Sequence, residues 1–483
     1  MICLGQPSSE ATFDFDEVSD SLRAVGLEPR KTHNESGTWI TAARPALEGA
    51  GEWSHLYGRA DNSAFGGEEL AGASTTGEMN IQWIGRPGPR AQPDRNGRKP
   101  SPLSTGGRLF VQGMHRIIAL DAFNGTVLWA LEIPSLERFN MPRDCSNWCA
   151  DEQFVYIAAK DKCWQIDAVT GEVEAFHPVV RGSRDDWTYD WGFIAQTDDL
   201  VLGSAQKTGT AFVSFWGDAG AGWYDARSGP ATFKVCSDAV FARRKADGSP
   251  AWSYEEGVVI NPTITVADGK LCFVECRHPS VKQSQARRIG SDELWEQQFL
   301  VALDLATGEK VWEQAIDTAD GTVAFYLAAG KDALVINAST NVQYEVSAYA
   351  VSDGTHRWSQ TFDWFDKKGD HGKAIQRPAI VNGMVYVKPK VMDLATGEIQ
   401  SLEMPAGKCG TYAATRNSLI FRTGEIAMWN TLSGSLTSWD RMRPGCWLST
   451  IPASGMLLSP EGGGGCSCGS WMEMSVGFMP EGD

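Results

Sequence analysis

One phrase recurs seven times between Ile117 and Arg441, and it restricts the fold more than any other feature. The copies are IIALDAFNGTVLWALE (Ile117–Glu132), CWQIDAVTGEVEAFH (Cys163–His177), VFARRKADGSPAWSYE (Val240–Glu255), LVALDLATGEKVWEQA (Leu300–Ala315), VSAYAVSDGTHRWSQT (Val346–Thr361), KVMDLATGEIQSLEM (Lys390–Met404) and IAMWNTLSGSLTSWDR (Ile426–Arg441). Each is an apolar strand, a polar turn ending in glycine, and a second strand. The glycines are Gly125, Gly171, Gly248, Gly308, Gly354, Gly397 and Gly434, at steps of 46, 77, 60, 46, 43 and 37 residues. Glycine supplies the positive φ that such a hairpin turn requires. A period of about 40–50 residues is that of a four-stranded propeller blade. The two long steps read as one blade with an insertion each, at Gly203–Cys236 and Arg277–Gln298.

Trp129, Trp252, Trp312 and Trp358 each follow the glycine by four residues. A large flat side chain at one fixed place per blade fills the wedge between neighbouring blades. Hairpins such as Glu152–Lys162 and Val381–Lys390 precede most phrases. An eighth blade is expected from the C-terminal strands Cys446–Pro452, Met456–Pro460 and Met472–Met479 together with an early strand, Met79–Ile84. Joining the two ends of the chain in one blade removes the exposed sheet edges. The expected fold is therefore all-β: an eight-bladed β-propeller of four-stranded antiparallel blades. The propeller spans residues 106–483, with a lead-in over 49–105 that holds the ring-closing strand and a basic Pro/Gly loop.

Residues 13–45 read differently. Val18, Leu22 and Val25 lie on one face of a short helix, Leu27–Thr32 and Thr38–Ala43 form a hairpin around Asn34–Gly37, and Pro45 ends it. Thirty-three residues cannot bury a core alone, so residues 1–48 are expected to be an αββ remnant of something larger upstream.

Composition removes several function classes. No run approaches the ~18 apolar residues of a membrane span. The formal charge of −17 is repelled by a phosphate backbone, so nucleic acid is not an expected partner. The basic run Arg86–Lys99 carries no aromatics and reads as a solvated loop. Eleven cysteines occur without a CxxC or CxxCH, which excludes a zinc ribbon, a c-type haem and a thioredoxin-like site. The opening MICLGQPSSEATFDFDEVSD has no basic or apolar signal region. As written the chain is expected in the cytoplasm, with a periplasmic location if the true start lies elsewhere.

The phrases ALDAFNGTVLW and ALDLATGEKVW resemble the Ala-x-Asp-x-x-Thr-Gly-x-x-x-Trp signature of PQQ-like (quinoprotein-type) β-propeller repeats. The resemblance covers roughly residues 51–480. The lead-in EWSHLYGRADNSAFGGEEL and the tail GCWLSTIPASGMLLSPEGGGGCSC are similar to bacterial proteins of this class, some of which carry a methyltransferase domain in front. LRAVGLEPRKTHNESGTWITAARP is similar to the end of a class I SAM-dependent methyltransferase, without that family's glycine-rich loop, so no SAM site is expected here. Four functions are open: a ligand- or protein-binding scaffold, a quinoprotein oxidoreductase using PQQ and Ca²⁺ as the resemblance implies, a thiol redox or metal-binding propeller, or the targeting part of a methyltransferase fusion. Quinoprotein enzymes use a catalytic Asp and often two adjacent cysteines; this sequence has no adjacent pair.

Candidate site residues cluster on one predicted face. Links between blades and the middle hairpin of each blade share a face, so both insertions lie there, where loops on a rigid scaffold carry function. Arg143, Asp144, Asn147, Arg377 and Arg443 are expected at the channel mouth as a site for a polar ligand or cofactor. Cys446, Cys466 and Cys468 form a second group, compatible with metal ligation, a redox pair or plain buried thiols. The seven histidines show no HxxxH or HxH spacing, and the acidic doublets show no EF-hand spacing. A protein or a small polar ligand is the expected partner.

Overall fold

The computed structural model describes residues 2–7, 14–35, 37–43, 47–85, 100–113, 115–137, 146–180, 184–213, 233–318, 324–339, 343–363, 377–408, 410–445, 447–461 and 472–481. Chain contacts divide it into two compact units, Met1–Glu48 and Gly49–Asp483.

In the first unit the helix runs Phe15–Ala24. Asp14 caps it, its carboxylate accepting the N–H groups of Asp16 and Glu17 at 3.0 Å. Strands Glu28–Asn34 and Gly37–Ala43 form the expected hairpin. A further strand, Ile2–Pro7, pairs with Gly37–Ala43 and makes it the central strand of three. The αββ expectation omitted that strand, because ICLGQP has neither alternation nor β-branched enrichment to mark it. Leu22, Leu27, Ile40 and Ala42 form this unit's small core.

Eight antiparallel sheets make up the described second unit, numbered here from one in chain order. Their first strands are Leu103–Thr105, Trp148–Ala150, Tyr189–Gln196, Val258–Ile260 with Thr265–Ala267, Ala324–Gly330, Ala379–Val381, Ala413–Ala414 and Ile451–Ala453. In the fourth sheet the two inner strands Val258–Ile260 and Thr265–Ala267 are separated by a 3₁₀ turn at Asn261–Thr263, where Pro262 removes a ladder donor. First strands touch their neighbours round a closed circuit: one to two to three, four to five and on to eight, and eight back to one. Sheets three and four meet where Ser237 and Asn261 crowd Gly192. Sheet eight takes its outermost strand, Met79–Gly85, from the other end of the chain, paired from Ser475↔Gly85 to Pro480↔Met79.

The phrase glycines work as their spacing predicts. All seven have positive φ, from 68° at Gly248 to 78° at Gly171. In the Asp-x-x-Thr-Gly copies the aspartate accepts backbone N–H groups inside its own turn: Asp304 from Ala306 and Thr307, Asp393 from Ala395 and Thr396. These bonds hold both carboxyls below the usual range.

Each phrase tryptophan reaches the glycine turn of the next sheet. Trp129 lies against Gly171, Trp252 against Gly308, Trp312 against Gly354, Trp358 against Gly397, and Trp83 of sheet eight against Gly125 of sheet one. Every one of these indoles donates to the carbonyl three residues before that glycine: Ala168, Leu305, Val351, Leu394 and Ala122, at 2.8–3.1 Å. Between sheets two and three, His177 takes this place against Gly248.

The two insertions converge as the topology requires. Lys234–Ser237, from the first, pairs both with Val258–Ile260 and with Arg288–Ile289 of the second. Arg287, 2% exposed, donates to Asp238 at 2.6 and 2.8 Å. The cationic groups of Arg184, Lys207 and Arg287 lie 4.2, 4.3 and 4.7 Å from the Trp187 ring centroid. Arg288 donates to the carbonyls of Thr210 and Ala211. The second insertion is thus fastened to the ring.

Candidate functional site

Residues 51–68 make one circuit of the ring at the C-terminal ends of the first strands. Trp53 exchanges both backbone bonds with Ser104 of sheet one, at 2.8 and 2.9 Å. The Ser54 carbonyl accepts from Ala150 in sheet two at 2.9 Å, and His55 Nε2 accepts from Gln196 in sheet three at 3.0 Å. The carbonyls of Ala60, Asp61, Ser63 and Ala64 accept from Val266, Ala329, Ile380 and Ala414 in sheets four to seven at 2.7–2.9 Å. Gly51 accepts from Ser454 in sheet eight at 2.8 Å. The Glu68 carboxylate closes the loop, accepting the N–H groups of Gly51, Leu70 and Gly455 at 2.8–2.9 Å. Inner strand edges carry unpaired donors, and this segment supplies their acceptors. No periodic signal marks this segment in the sequence, because its regularity lies in where the chain passes and not in which residues repeat.

Burial sets the protonation of this plug. His55 is pushed down to about 3 by desolvation, with Lys245 adding to the effect. It is therefore neutral, with the proton on Nδ1 facing Ser54 Oγ at 2.8 Å. Desolvation raises the Glu68 and Asp61 carboxyls.

Next to the plug, described side chains meet on the axis. Leu56, Tyr57 and Asn62 of the plug meet Ser146, Phe193, Asn261, Tyr326 and Arg377 around a cavity of about 10 Å³, room for one water. The Arg377 guanidinium lies 3.9 Å from the Tyr57 ring centroid and 4.4 Å from that of Tyr326, and it donates to the Pro262 carbonyl at 2.9 Å. Trp447 Nε1 donates to the Tyr57 hydroxyl at 3.1 Å. Asn62 donates to the Ile264 carbonyl and to Thr265 Oγ1.

The expected site residues are distributed as follows. Arg377 lies inside the axis. Asn147 is fully buried and donates to Gln112 at 3.1 Å. Arg443 is 5% exposed, and its carbonyl accepts from Met472. Arg143, Asp144, Cys446, Cys466 and Cys468 lie outside the described residues. Cys149, Cys163, Cys236, Cys272 and Cys276 are free and buried. Burial raises all five thiols, Cys236 and Cys272 to about 12 and Cys276 to about 11, which leaves them poor nucleophiles. Among the described residues no three His, Cys, Asp or Glu side chains are grouped to hold a metal.

PQQ does not fit the described axis. A flat three-ring cofactor needs a pocket of the usual ligand size, roughly 300 Å³ or more, and Tyr57, Arg377 and Tyr326 occupy that space. The amides there are engaged through their nitrogens, Asn147 Nδ2 donating to Gln112 and Asn261 Nδ2 to Gln206 at 3.3 Å, while the buried Oδ1 atoms of Asn147 and Asn261 accept no hydrogen bond among the described residues.

Residues 296–409 match the family model described as outer membrane protein assembly factor BamB. No curated protein matches the chain. Among solved structures, quinohemoprotein alcohol dehydrogenase from Comamonas testosteroni aligns with a TM-score of 0.59 at 13% identity, covering 89% of this chain and 82% of that one. That likeness is one of fold. BamB from Moraxella catarrhalis aligns at 0.38 with 15% identity, over 68% and 81% of the two chains. A europium-containing methanol dehydrogenase aligns at 0.42 with 13% identity, over 78% and 90%. The family match and the alignment with the alcohol dehydrogenase support a PQQ-like β-propeller fold, and no comparison supports the methyltransferase resemblance of residues 13–45.

Proposed function

We propose that residues 49–483 form a single eight-bladed propeller that binds a protein partner on the face carrying the two insertions, without catalysis by its axis. The observation that carries this reading is the plug. Residues 51–68 close one end of the channel and Arg377 lies across the axis between Tyr57 and Tyr326, which leaves the insertion face as the elaborated surface among the described residues. The pinned insertion Arg277–Gln298 presents Lys282, Gln283 and Gln285 outward on a rigid base, the arrangement in which loops carry recognition. The assembly-factor description of the family matched by residues 296–409 agrees with a role served through other proteins. A quinoprotein dehydrogenase is the second function implied by the repeat, and the packing of Tyr57, Arg377 and Tyr326 on the described part of the axis speaks against it.

Two experiments separate these functions. A photocrosslinking residue is placed at Gln283 on the insertion face and, separately, at Asp198 on the plug face, in the native host. One discrete adduct from Gln283 and none from Asp198 supports the scaffold; the reverse pattern sinks it. The purified chain is also titrated with PQQ and Ca²⁺. Retained quinone absorbance with a raised Tm would make the protein a quinoprotein instead.

A further inference from the structure

Between sheets two and three the insertion face holds a cavity of about 290 Å³, at the lower end of the usual ligand size. Small residues leave the room. Ala158 and Ala159 end the second strand of sheet two, Phe154–Ala159, and both are buried. Gly209, Ala211 and Val213 form another wall, just past the second strand of sheet three, Leu200–Lys207. A Cβ on Gly209 would meet nothing within 4 Å. Arg288 fixes this wall by donating to the carbonyls of Gly209, Thr210 and Ala211.

Three charged side chains line the same cavity and do not neutralise one another. Asp190, in the first strand of sheet three, accepts from Thr208 Oγ1 and from the Gly209 N–H at 3.3 and 3.2 Å. These bonds hold its carboxylate in place, and no cation among the described residues pairs with it. Glu137 has His115 Nε2 at 3.7 Å, beyond hydrogen-bond reach. Lys160 stands in the hairpin turn between Phe154–Ala159 and Lys162–Asp167, and its Nζ bonds no acceptor among the described residues. Two anionic groups and one cationic group therefore share a space whose other walls are mostly methyl groups. A ligand that carries only an ammonium would leave Lys160 uncompensated beside it. One that carries only a carboxylate would meet two like charges. A ligand with both charges satisfies all three side chains through charge-assisted hydrogen bonds.

We propose that this cavity binds a small α-amino acid as its zwitterion. Asp190 and Glu137 take the ammonium, Lys160 takes the carboxylate, and an aliphatic side chain lies against Ala158, Ala159, Ala211 and Val213. The site is separate from the axis and needs no protein partner, so its failure leaves the reading of the insertion face as it stands.

Saturation-transfer NMR and calorimetry on the full chain test it, with L-valine, isobutylamine and isovalerate as probes. Isobutylamine is valine without its carboxylate, and isovalerate is valine without its ammonium. L-valine is expected to saturate one site below about 10 mM. Each of the other two should bind about tenfold or more weaker, because a hydrogen bond to a charged group is lost. K160M should weaken L-valine by a similar factor and leave isobutylamine no weaker. E137Q should weaken both L-valine and isobutylamine. D190N should do the same, and E137Q keeps the carboxylate arm testable if loss of the Gly209 bond disturbs the D190N loop. No saturable binding of L-valine, or binding that K160M and E137Q leave unchanged, overturns the proposal. So does isobutylamine binding as tightly as L-valine, which would make the cavity a socket for a basic side chain.

Discussion

The turn glycines meet two demands at once, and a pair of residues separates them. Gly397 has φ of 75°, and a Cβ there would sit 2.5 Å from the Trp358 ring. Gly397→Ala therefore incurs left-handed strain of about 1–2 kcal/mol and overpacking of about 1–3 kcal/mol. Trp358→Ala alone loses the bond to the Leu394 carbonyl and a buried ring, about 3–5 kcal/mol. In the Trp358→Ala background the overpacking vanishes, so Gly397→Ala then costs about 1–2 kcal/mol. Urea unfolding of the four proteins in the cycle checks this; additive losses would mean that the indole and the turn do not touch. His55 gives a second residue-scale outcome. Its folded pKa, about 3, is below the ordinary 6.5. Between these values the unfolded chain holds a proton that the folded chain lacks, so acidification removes stability at about 1.4 kcal/mol per pH unit. The raised Glu68 and Asp61 carboxyls act in the opposite sense over acid pH. His55→Gln removes only the imidazole contribution, and the gap between wild type and variant should change between pH 6.5 and 3. A constant gap would show that His55 is not neutral in the fold. Residues of this kind differ in legibility. The tryptophans announce themselves by their four-residue offset from a glycine, because a repeat copies its wedge filler. Arg377 has no such marker: its position in the chain placed it near the mouth, and only the direction of its side chain puts it between Tyr57 and Tyr326.

At the scale of elements, the strands and insertions were readable, while the plug was not. Alternation and turn glycines mark a strand whatever its neighbours do. The circuit of residues 51–68 exists only because eight strand ends are already arranged to receive it. Glu68 is the clasp, with one carboxylate oxygen on Leu70 and the other on Gly51 and Gly455. Glu68→Gln places an amide nitrogen among three N–H donors, and the loss expected for a buried unpaired donor is about 1–3 kcal/mol. The consequence is not confined to sheet eight. Hydrogen exchange at Ala150, Val266, Ala329, Ile380 and Ala414 should speed up together, because one segment holds all five amides. Acceleration at Gly455 alone would mean that the plug is held independently at each sheet.

For the whole second unit, closure is the governing fact. Sheets of a propeller bury their faces only against neighbours, so an open ring leaves two faces and one strand edge in water. Here the seam is sheet eight, where Met79–Gly85 covers Ser475–Pro480 and Trp83 reaches Ala122 of sheet one. The plug adds a second closure, since one stretch of chain that precedes the first sheet in sequence touches every sheet. Residues 49–85 therefore supply both fastenings, and residues 1–48 supply neither among the bonds described. A chain starting at Gly49 is expected to unfold in one cooperative transition with the Tm of the full chain's larger unit. A chain starting at Pro100 keeps seven complete sheets and lacks both closures. It is expected to unfold at least 10 °C lower or to associate through the exposed strand Ser475–Pro480. Calorimetry and light scattering on the two truncations distinguish these outcomes. If the Pro100 chain proved as stable and monomeric as the Gly49 chain, closure would not be what holds the ring, and the tryptophan contacts between neighbouring sheets would have to be sufficient by themselves.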